Sequence, residues 1–166
     1  MEDINVLEIG KTMVHKSHGI CTIKEILKID GLDYYRLIPS FDESMSIFVP
    51  LAKENELLRS VLSKNEAEKL ISYMCSIDDV IIDDTKERRD AFHKMMLSGN
   101  LKDIAYMYFK LSLLKQEKEK QNAKFCLTDS NMLKKLQDML FNELAVVYNK
   151  NTNEIVKYVL QRVGEK

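Results

Sequence analysis

The sequence predicts an α+β protein of two domains, with a β-rich module over residues 1–60 and an all-helical domain over residues 61–166. The turn-forming residues show the division, because both prolines (Pro39 and Pro50) and three of the five glycines fall in the first sixty residues. Such residues are common in strand-rich segments and are excluded from helix interiors. After Pro50 the apolar residues repeat with a period near 3.6, which indicates helices.

Short strands with tight connections are predicted in the first sixty residues, at 12–14, 21–27, 34–38 and 46–49. Asp30-Gly31 is the strongest hairpin signal, because both residues tolerate the positive φ that a type I′ turn requires. An isolated pair of strands would not be stable. Four or five strands in so short a segment therefore predict a small, strongly bent, barrel-like sheet.

About five helices are predicted in the second domain from capping residues and apolar faces. The predicted helix starts are Ser63 with Glu66, Asp84 with Glu87, Asn100 with Asp103, Thr128, and Asn151 with Glu154. Gly99 is expected to end the second helix, and residues 76–84 and 116–127 are expected to be connections. The positions expected to face the core are Ala67, Leu70, Ile71, Met74, Phe92, Met95, Met96, Leu101, Ile104, Ala105, Tyr108, Leu111, Leu133, Leu136, Leu140, Leu144, Val147, Ile155, Val159 and Val163.

Composition and charge favour a cytoplasmic binding protein. The net charge of −1 divides into 7 basic and 10 acidic residues over 1–60, or −3, and 18 and 16 over 61–166, or +2. Neither value predicts strong polyanion binding by charge alone. The three cysteines are widely spaced and do not form a disulfide pattern. The N-terminus lacks the basic and apolar regions of a signal peptide, and no apolar run is long enough for a transmembrane helix.

No residue pattern predicts catalysis or a cofactor. His15, His18 and Cys21 have close spacing, but a structural zinc site needs a fourth ligand, so we interpret them as a polar turn with a small buried cysteine. A metal-dependent enzyme that uses these three residues remains an alternative. Cys75 and Cys126 lack a nearby histidine that would activate a nucleophile. The lysines within 115–124 alternate with glutamates and are interpreted as a solvated helix end, with phosphate contact as the alternative.

An ordered set of short segments resembles the CarD family of bacterial transcription regulators, which includes the polymerase-interaction domain of the transcription-repair coupling factor. The segments are residues 9–19, which include Gly10, Val14, His18 and Gly19; residues 46–50, which end in Val49-Pro50; residues 97–100 followed by Ile104-Ala105; and Leu127-Thr128 followed by residues 142–145. The resemblance covers nearly the whole chain in the correct order, and the change from strands to helices falls where the family has it.

The resemblance implies a Tudor-like N-terminal domain that binds the β subunit of bacterial RNA polymerase. A sheet edge can pair with a strand of its partner, so residues 46–49 are the expected edge. Phe48 is then an apolar anchor, unless it is buried in the core. The residues expected to bind polymerase are Lys28, Arg36, Ser46, Ile47, Phe48, Val49 and Pro50.

The resemblance also implies that the helical domain contacts promoter DNA at the upstream edge of the bubble and modulates the stability of the open complex. Family members often place a tryptophan there, but this chain has none, and the position falls at Thr85. The residues expected to contact DNA are Thr85, Lys86, Arg88, Arg89 and Lys94. Asp90 replaces a common lysine, so we expect weakened DNA contact. The alternative is a polymerase-docked protein–protein adaptor without DNA binding.

Overall fold

The computed structural model describes residues 5–164. Residues 1–4, on which the expectation of a missing signal peptide partly depends, and residues 165–166 lie outside the described residues. The chain divides into two compact units between Val61 and Leu62, and each is described by itself. Within residues 5–164, no helix is both long and apolar enough to cross a bilayer.

The N-terminal unit is an antiparallel sheet of five strands among its described residues. The strands are β1 (Thr12–His15), β2 (Gly19–Ile29), β3 (Leu32–Pro39), β4 (Ile47–Pro50) and β5 (Leu58–Ser60). Their order is β4-β3-β2-β1-β5. No pairing between β4 and β5 occurs among these strands, so the sheet is open and the predicted barrel is not confirmed. A short helix, α1 (Glu54–Leu57), precedes β5.

The β2–β3 hairpin confirms the prediction made from Asp30-Gly31. Asp30 has a φ of 50° and Gly31 a φ of 81°, and Ile29 pairs with Leu32 on either side of the turn. Both central residues therefore have the positive φ of a type I′ turn. β2 is longer than the predicted strand at 21–27, and its register shifts between Ile23 and Glu25.

The sheet core follows from the alternation of side chains along each strand. Tyr35 and Leu37 of β3 and Ile47 and Val49 of β4 are buried. The remaining buried members of this core are Met13, Cys21, Ile23 and Leu58. The Tyr35 hydroxyl accepts a hydrogen bond from the Leu7 N–H at 3.0 Å and donates one to Glu54 Oε2 at 2.8 Å. The one buried hydroxyl in this core is thereby satisfied.

The second unit contains five helices within its described residues, as predicted. They are α2 (Lys64–Ser76), α3 (Thr85–Ser98), α4 (Leu101–Lys120), α5 (Leu127–Tyr148) and α6 (Thr152–Gly164). Four predicted caps are confirmed by backbone N–H groups that donate to the capping side chains. These caps are the Ser63–Glu66 capping box, Asp84 with Glu87, Asn100 with Lys102, and Asn151 with Glu154. Gly99 ends α3 with a φ of 64°.

Two helix boundaries differ from the predictions. The connection expected at 116–127 is wrong over 116–120, because α4 continues to Lys120. Lysine, glutamate and glutamine have high helix propensity, and Gln121 donates a hydrogen bond to Glu117 at 2.9 Å. The start expected at Thr128 is one residue late, since α5 begins at Leu127 and Cys126 is its N-cap.

The helices share one apolar core, and every predicted core position belongs to it. Fourteen of those positions are buried, whereas Met95, Met96, Leu101, Leu133, Val147 and Val163 are half-buried and pack against it. The rings of Tyr108 and Phe141 meet edge to face at 5.2 Å between centroids. Glu68 of α2 accepts hydrogen bonds from Tyr148 of α5 and from Arg162 of α6, the latter at 2.7 Å. One carboxylate therefore links three helices.

Candidate interaction sites

The β4 strand is the first candidate site, because it has a neighbouring strand on one side only within the described sheet. Its register pairs Phe48 with Arg36 and Val49 with Tyr35. Ile47 and Val49 face the core, whereas Phe48 faces outward with 46% of its surface exposed. The alternative of core burial is therefore excluded for Phe48. An edge strand with an outward aromatic side chain can accept a partner strand.

Arg36 lies beside Phe48 on the outer surface of the sheet. Its Nε donates to Glu25 Oε1 at 2.7 Å, and its Nη1 donates to Ser46 Oγ at 3.3 Å. These contacts fix the guanidinium next to the exposed ring. Phe48, Arg36, Glu25 and Ser46, which we call the β4 face, thus combine an apolar centre with a polar rim, the usual composition of a protein–protein contact.

Lys28, another residue predicted for polymerase binding, lies differently from Phe48. Lys28 pairs with Asp33 near the hairpin turn, three residues from Glu25 along β2. Because side chains alternate along a strand, Lys28 lies on the sheet side opposite the β4 face. The structure therefore does not bring it together with Arg36. Pro50 is the last residue of β4, opposite Tyr34.

The start of α3 is the second candidate site, and most of its predicted residues are on the surface. The Asp84 side chain accepts a hydrogen bond from the Glu87 N–H at 2.7 Å and begins the helix. Thr85, Lys86, Arg89 and Lys94 are exposed. Their predicted contact with DNA stays a prediction.

Arg88 differs from its neighbours, because only 4% of it is exposed. Its Nη2 donates to Asp129 Oδ2 at 2.7 Å, and its Nη1 donates to the carbonyl oxygens of Ile82 at 3.1 Å and Asp83 at 3.2 Å. In this conformation the side chain links α3 to α5 and to the preceding connection, and it does not reach solvent. The geometry disfavours the predicted phosphate contact of Arg88.

Sequence reasoning grouped Arg88 with Arg89 because they are adjacent. Consecutive residues of a helix point about 100° apart, since a turn holds 3.6 residues. One of the two can therefore face the core while the other faces solvent. No signal in the sequence identified Asp129, 41 residues away, as the partner of Arg88.

A second buried cation that sequence reasoning missed is Lys110, with 2% exposure. Its Nζ donates to the Asp78 carbonyl oxygen at 2.9 Å and to the Val80 carbonyl oxygen at 2.7 Å, and it also contacts the Asp78 carboxylate. The Tyr106 ring lies 5.3 Å from Nζ. Lys110 and Arg88 thus bind four carbonyl groups of residues 77–84, which we call the α2–α3 segment.

The basic residues near the start of α5 surround a cavity of about 190 Å³. Arg89 of α3, Lys118 of α4 and Lys124 of the α4–α5 connection all contribute to its wall. Lys118 lies 3.8 Å from Asp83, and Arg89 Nη2 lies 3.8 Å from Cys126 Sγ. Sequence reasoning interpreted Lys118 and Lys124 as a solvated helix end, whereas the fold brings them to Arg89.

The three residues weighed as metal ligands do not form a ligand group. No cluster of three histidine, cysteine or acidic side chains that could hold a metal occurs within the described part of the chain. His15 is buried, and burial lowers its pKa, with the neighbouring His18 adding to the effect. Burial also raises the pKa of the Cys21 thiol to about 11. Cys21 is therefore a protonated core residue at neutral pH.

The family comparison concerns the N-terminal unit. No curated protein matches the chain. The CarD-like/TRCF RID domain family matches residues 7–62, about one third of the sequence, and that range contains all five strands of the sheet. It is a family of interaction domains and not of catalytic ones. Residues 7–62 are therefore similar to the CarD-like/TRCF RID domains, a family of RNA polymerase-interaction domains with a transcription-associated role.

Proposed function

We propose that this protein is a transcription regulator that docks on the β subunit of bacterial RNA polymerase through the β4 face. The helical unit then modulates the stability of the promoter open complex. The observation that carries the proposal is the exposed Phe48 on an edge strand inside the matched domain. Main-chain hydrogen bonds along β4 would supply affinity, and the outward side chain would supply specificity.

The chemistry of the β4 face supports this mode of docking. Phe48 offers an aromatic surface that is not required by the core, because Ile47 and Val49 point to the other side of the strand. Arg36 is held by Glu25 and Ser46, so little side-chain entropy is lost when a partner contacts it. Buried aromatic anchors and arginines are the residues that most often dominate binding energy.

Replacing Phe48 by alanine should weaken binding to purified core RNA polymerase roughly tenfold or more, because a central aromatic anchor is worth about 2 kcal/mol or more. Leu32→Ala is the matched control, since Leu32 is 61% exposed and lies at the far end of β3, next to the hairpin turn. We expect its affinity to remain within about twofold of wild type. Surface plasmon resonance with immobilised polymerase measures both. Equal affinities for the two variants, or no binding by the wild-type chain, would contradict the proposal.

The helical unit is proposed to contact promoter DNA near the upstream edge of the bubble through Lys86, Arg89 and Lys94, which are exposed on α3. Two features favour a second candidate function, a polymerase-docked adaptor whose helices bind another protein. Arg88 forms a buried ion pair with Asp129, and the sequence contains no tryptophan to insert at the bubble edge. DNA binding by the three remaining cations would depend strongly on salt.

Binding to forked promoter DNA distinguishes the two functions. If the helical unit contacts DNA, Lys86→Ala/Arg89→Ala should weaken binding and reduce the salt slope by about two, because each lost phosphate contact removes roughly one released counterion. Fluorescence anisotropy over a salt series measures both quantities. Lys134→Ala/Lys135→Ala is the matched control, since both lysines are exposed on α5. Unchanged binding in the first variant, or identical losses in the two, would favour the adaptor.

A further inference from the structure

The cavity at the start of α5 shares Arg89 with the proposed DNA contact, but the proposed function uses none of its other lining residues. It lies among the first turn of α3, the C-terminal half of α4 and the residues that precede α5. Four cations and two carboxylates contribute to its wall, so its net charge is +4 − 2, or +2. They are Arg88, Arg89, Lys118, Lys124, Asp83 and Asp129.

The charges on the wall are only partly paired. Arg88 binds Asp129, and Lys118 lies near Asp83. Among residues 5–164, neither Arg89 nor Lys124 has a carboxylate within ion-pair distance. Two cations therefore line the cavity without a carboxylate partner among the described residues.

Arg88 supplies an independent observation. It is buried, and its two terminal nitrogens have acceptors, but the buried Nε has no hydrogen-bond partner among the described residues. Buried N–H groups in folded proteins are almost always paired. The Arg88 guanidinium thus lines the cavity with one N–H unpaired, and an anion nearby would further offset its positive charge.

The N-terminus of α5 adds a further positive potential. Cys126 is its N-cap and makes no side-chain capping hydrogen bond, so the first N–H groups lack the oxygen acceptor that a serine or aspartate would provide. The pKa of the Cys126 thiol is lowered, chiefly by the backbone N–H of Asp129. The first N–H groups of α5 therefore stabilise the negative charge of a thiolate at this position. Helix N-termini bind oxyanions in the same way.

We propose that this cavity binds one small oxyanion of the phosphate class, held by Arg89, Lys124 and the first turn of α5. The volume of about 190 Å³ is below the roughly 300–1,000 Å³ of pockets for drug-sized ligands. It suits inorganic phosphate or pyrophosphate. The inference is independent of polymerase docking, because it concerns residues of the helical unit alone.

Cys126 gives a direct readout, because its sulfur lies 3.8 Å from Arg89 Nη2. An anion in the cavity would neutralise Arg89 and block access to the thiol. Alkylation of Cys126 by iodoacetamide should therefore slow by about threefold or more in millimolar pyrophosphate, relative to chloride of equal ionic strength. Cys75, which lies outside the cavity wall, is the internal reference and should react at an unchanged rate. Peptide mass mapping of the full chain follows each cysteine separately.

Variants test whether the cavity causes the effect. Arg89→Ala/Lys124→Ala, or Lys124→Ala alone if the double variant fails to fold, should abolish the protection by pyrophosphate. Lys134→Ala/Lys135→Ala should retain it. The proposal would be overturned if Cys126 were alkylated at the same rate in pyrophosphate and in chloride of equal ionic strength. Protection that persists in the cavity variants would also overturn it. Protection by duplex DNA but not by phosphate or pyrophosphate would overturn it too, because the source would then be the nucleic-acid backbone.

Discussion

Replacing Arg88 by methionine should lower the free energy of unfolding of the helical unit by about 3 kcal/mol, because breaking a buried ion pair leaves one charge without a partner. Arg88 is 4% exposed, and the side chain of Asp129 is 10% exposed. The change would leave the buried Asp129 carboxylate without its ion-pair partner, and the Ile82 and Asp83 carbonyl groups would also lose their donor. The midpoint of thermal unfolding, followed at 222 nm, should fall by roughly 10 °C or more.

Arg89→Met is the matched control for this change, since it removes the same chemical group one residue further along α3. Because Arg89 is exposed, we expect an effect within about 0.5 kcal/mol. The double variant Arg88→Met/Asp129→Leu should recover much of the lost stability, because an apolar pair of similar volume can replace a buried ion pair. The assignment of Arg88 as a structural residue fails if Arg88→Met unfolds at the same temperature as Arg89→Met.

Replacing Lys110 by methionine should release the α2–α3 segment. The carbonyl groups of Asp78 and Val80 accept hydrogen bonds from Nζ, and hydrogen bonds to a charged group contribute about 1.5–3 kcal/mol each. Since both residues are exposed, water would satisfy the carbonyl groups in part. We therefore expect the free energy of local opening of the α2–α3 segment to be about 2 kcal/mol lower in Lys110→Met than in the wild type.

Hydrogen–deuterium exchange of the full chain measures this opening. Amides of residues 77–84 should exchange roughly thirtyfold faster in Lys110→Met, which corresponds to about 2 kcal/mol, while α5 stays protected. Lys115→Met is the matched control, because Lys115 is an exposed lysine of the same helix, and its exchange should match the wild type. Similar exchange of this segment in the two variants would mean that Lys110 does not hold it.

The parts of the fold that could be predicted are those with local causes. A type I′ turn requires a positive φ at two consecutive residues, so Asp30-Gly31 located the hairpin. A capping side chain satisfies N–H groups two or three residues further on, so Ser63 and Asp84 located two helix starts. The apolar period located the core faces of α2, α4, α5 and α6. Each of these signals lies within a few residues of the structure that it specifies.

The parts that could not be predicted depend on residues distant in sequence. Whether a sheet closes depends on its first and last strands, and no local signal reports the open order of these five. The burial of Arg88 depends on Asp129 and that of Lys110 on Asp78, across 41 and 32 residues. The exposure of Phe48 was left open by the sequence, and it follows from strand alternation only because the structure buries Ile47 and Val49. The cavity could not be predicted either, because it is formed by the packing of α3, α4 and α5.

The alternation of β4 also bears on how such a protein could evolve. Ile47 and Val49 are buried and stabilise the sheet, while the Phe48 side chain between them is exposed to solvent. Selection on folding and selection on partner choice therefore act on different, interleaved positions of the same four-residue strand. A substitution at Phe48 can change the preferred partner without a large loss of stability. Related chains could thus diverge in what they bind while keeping one framework.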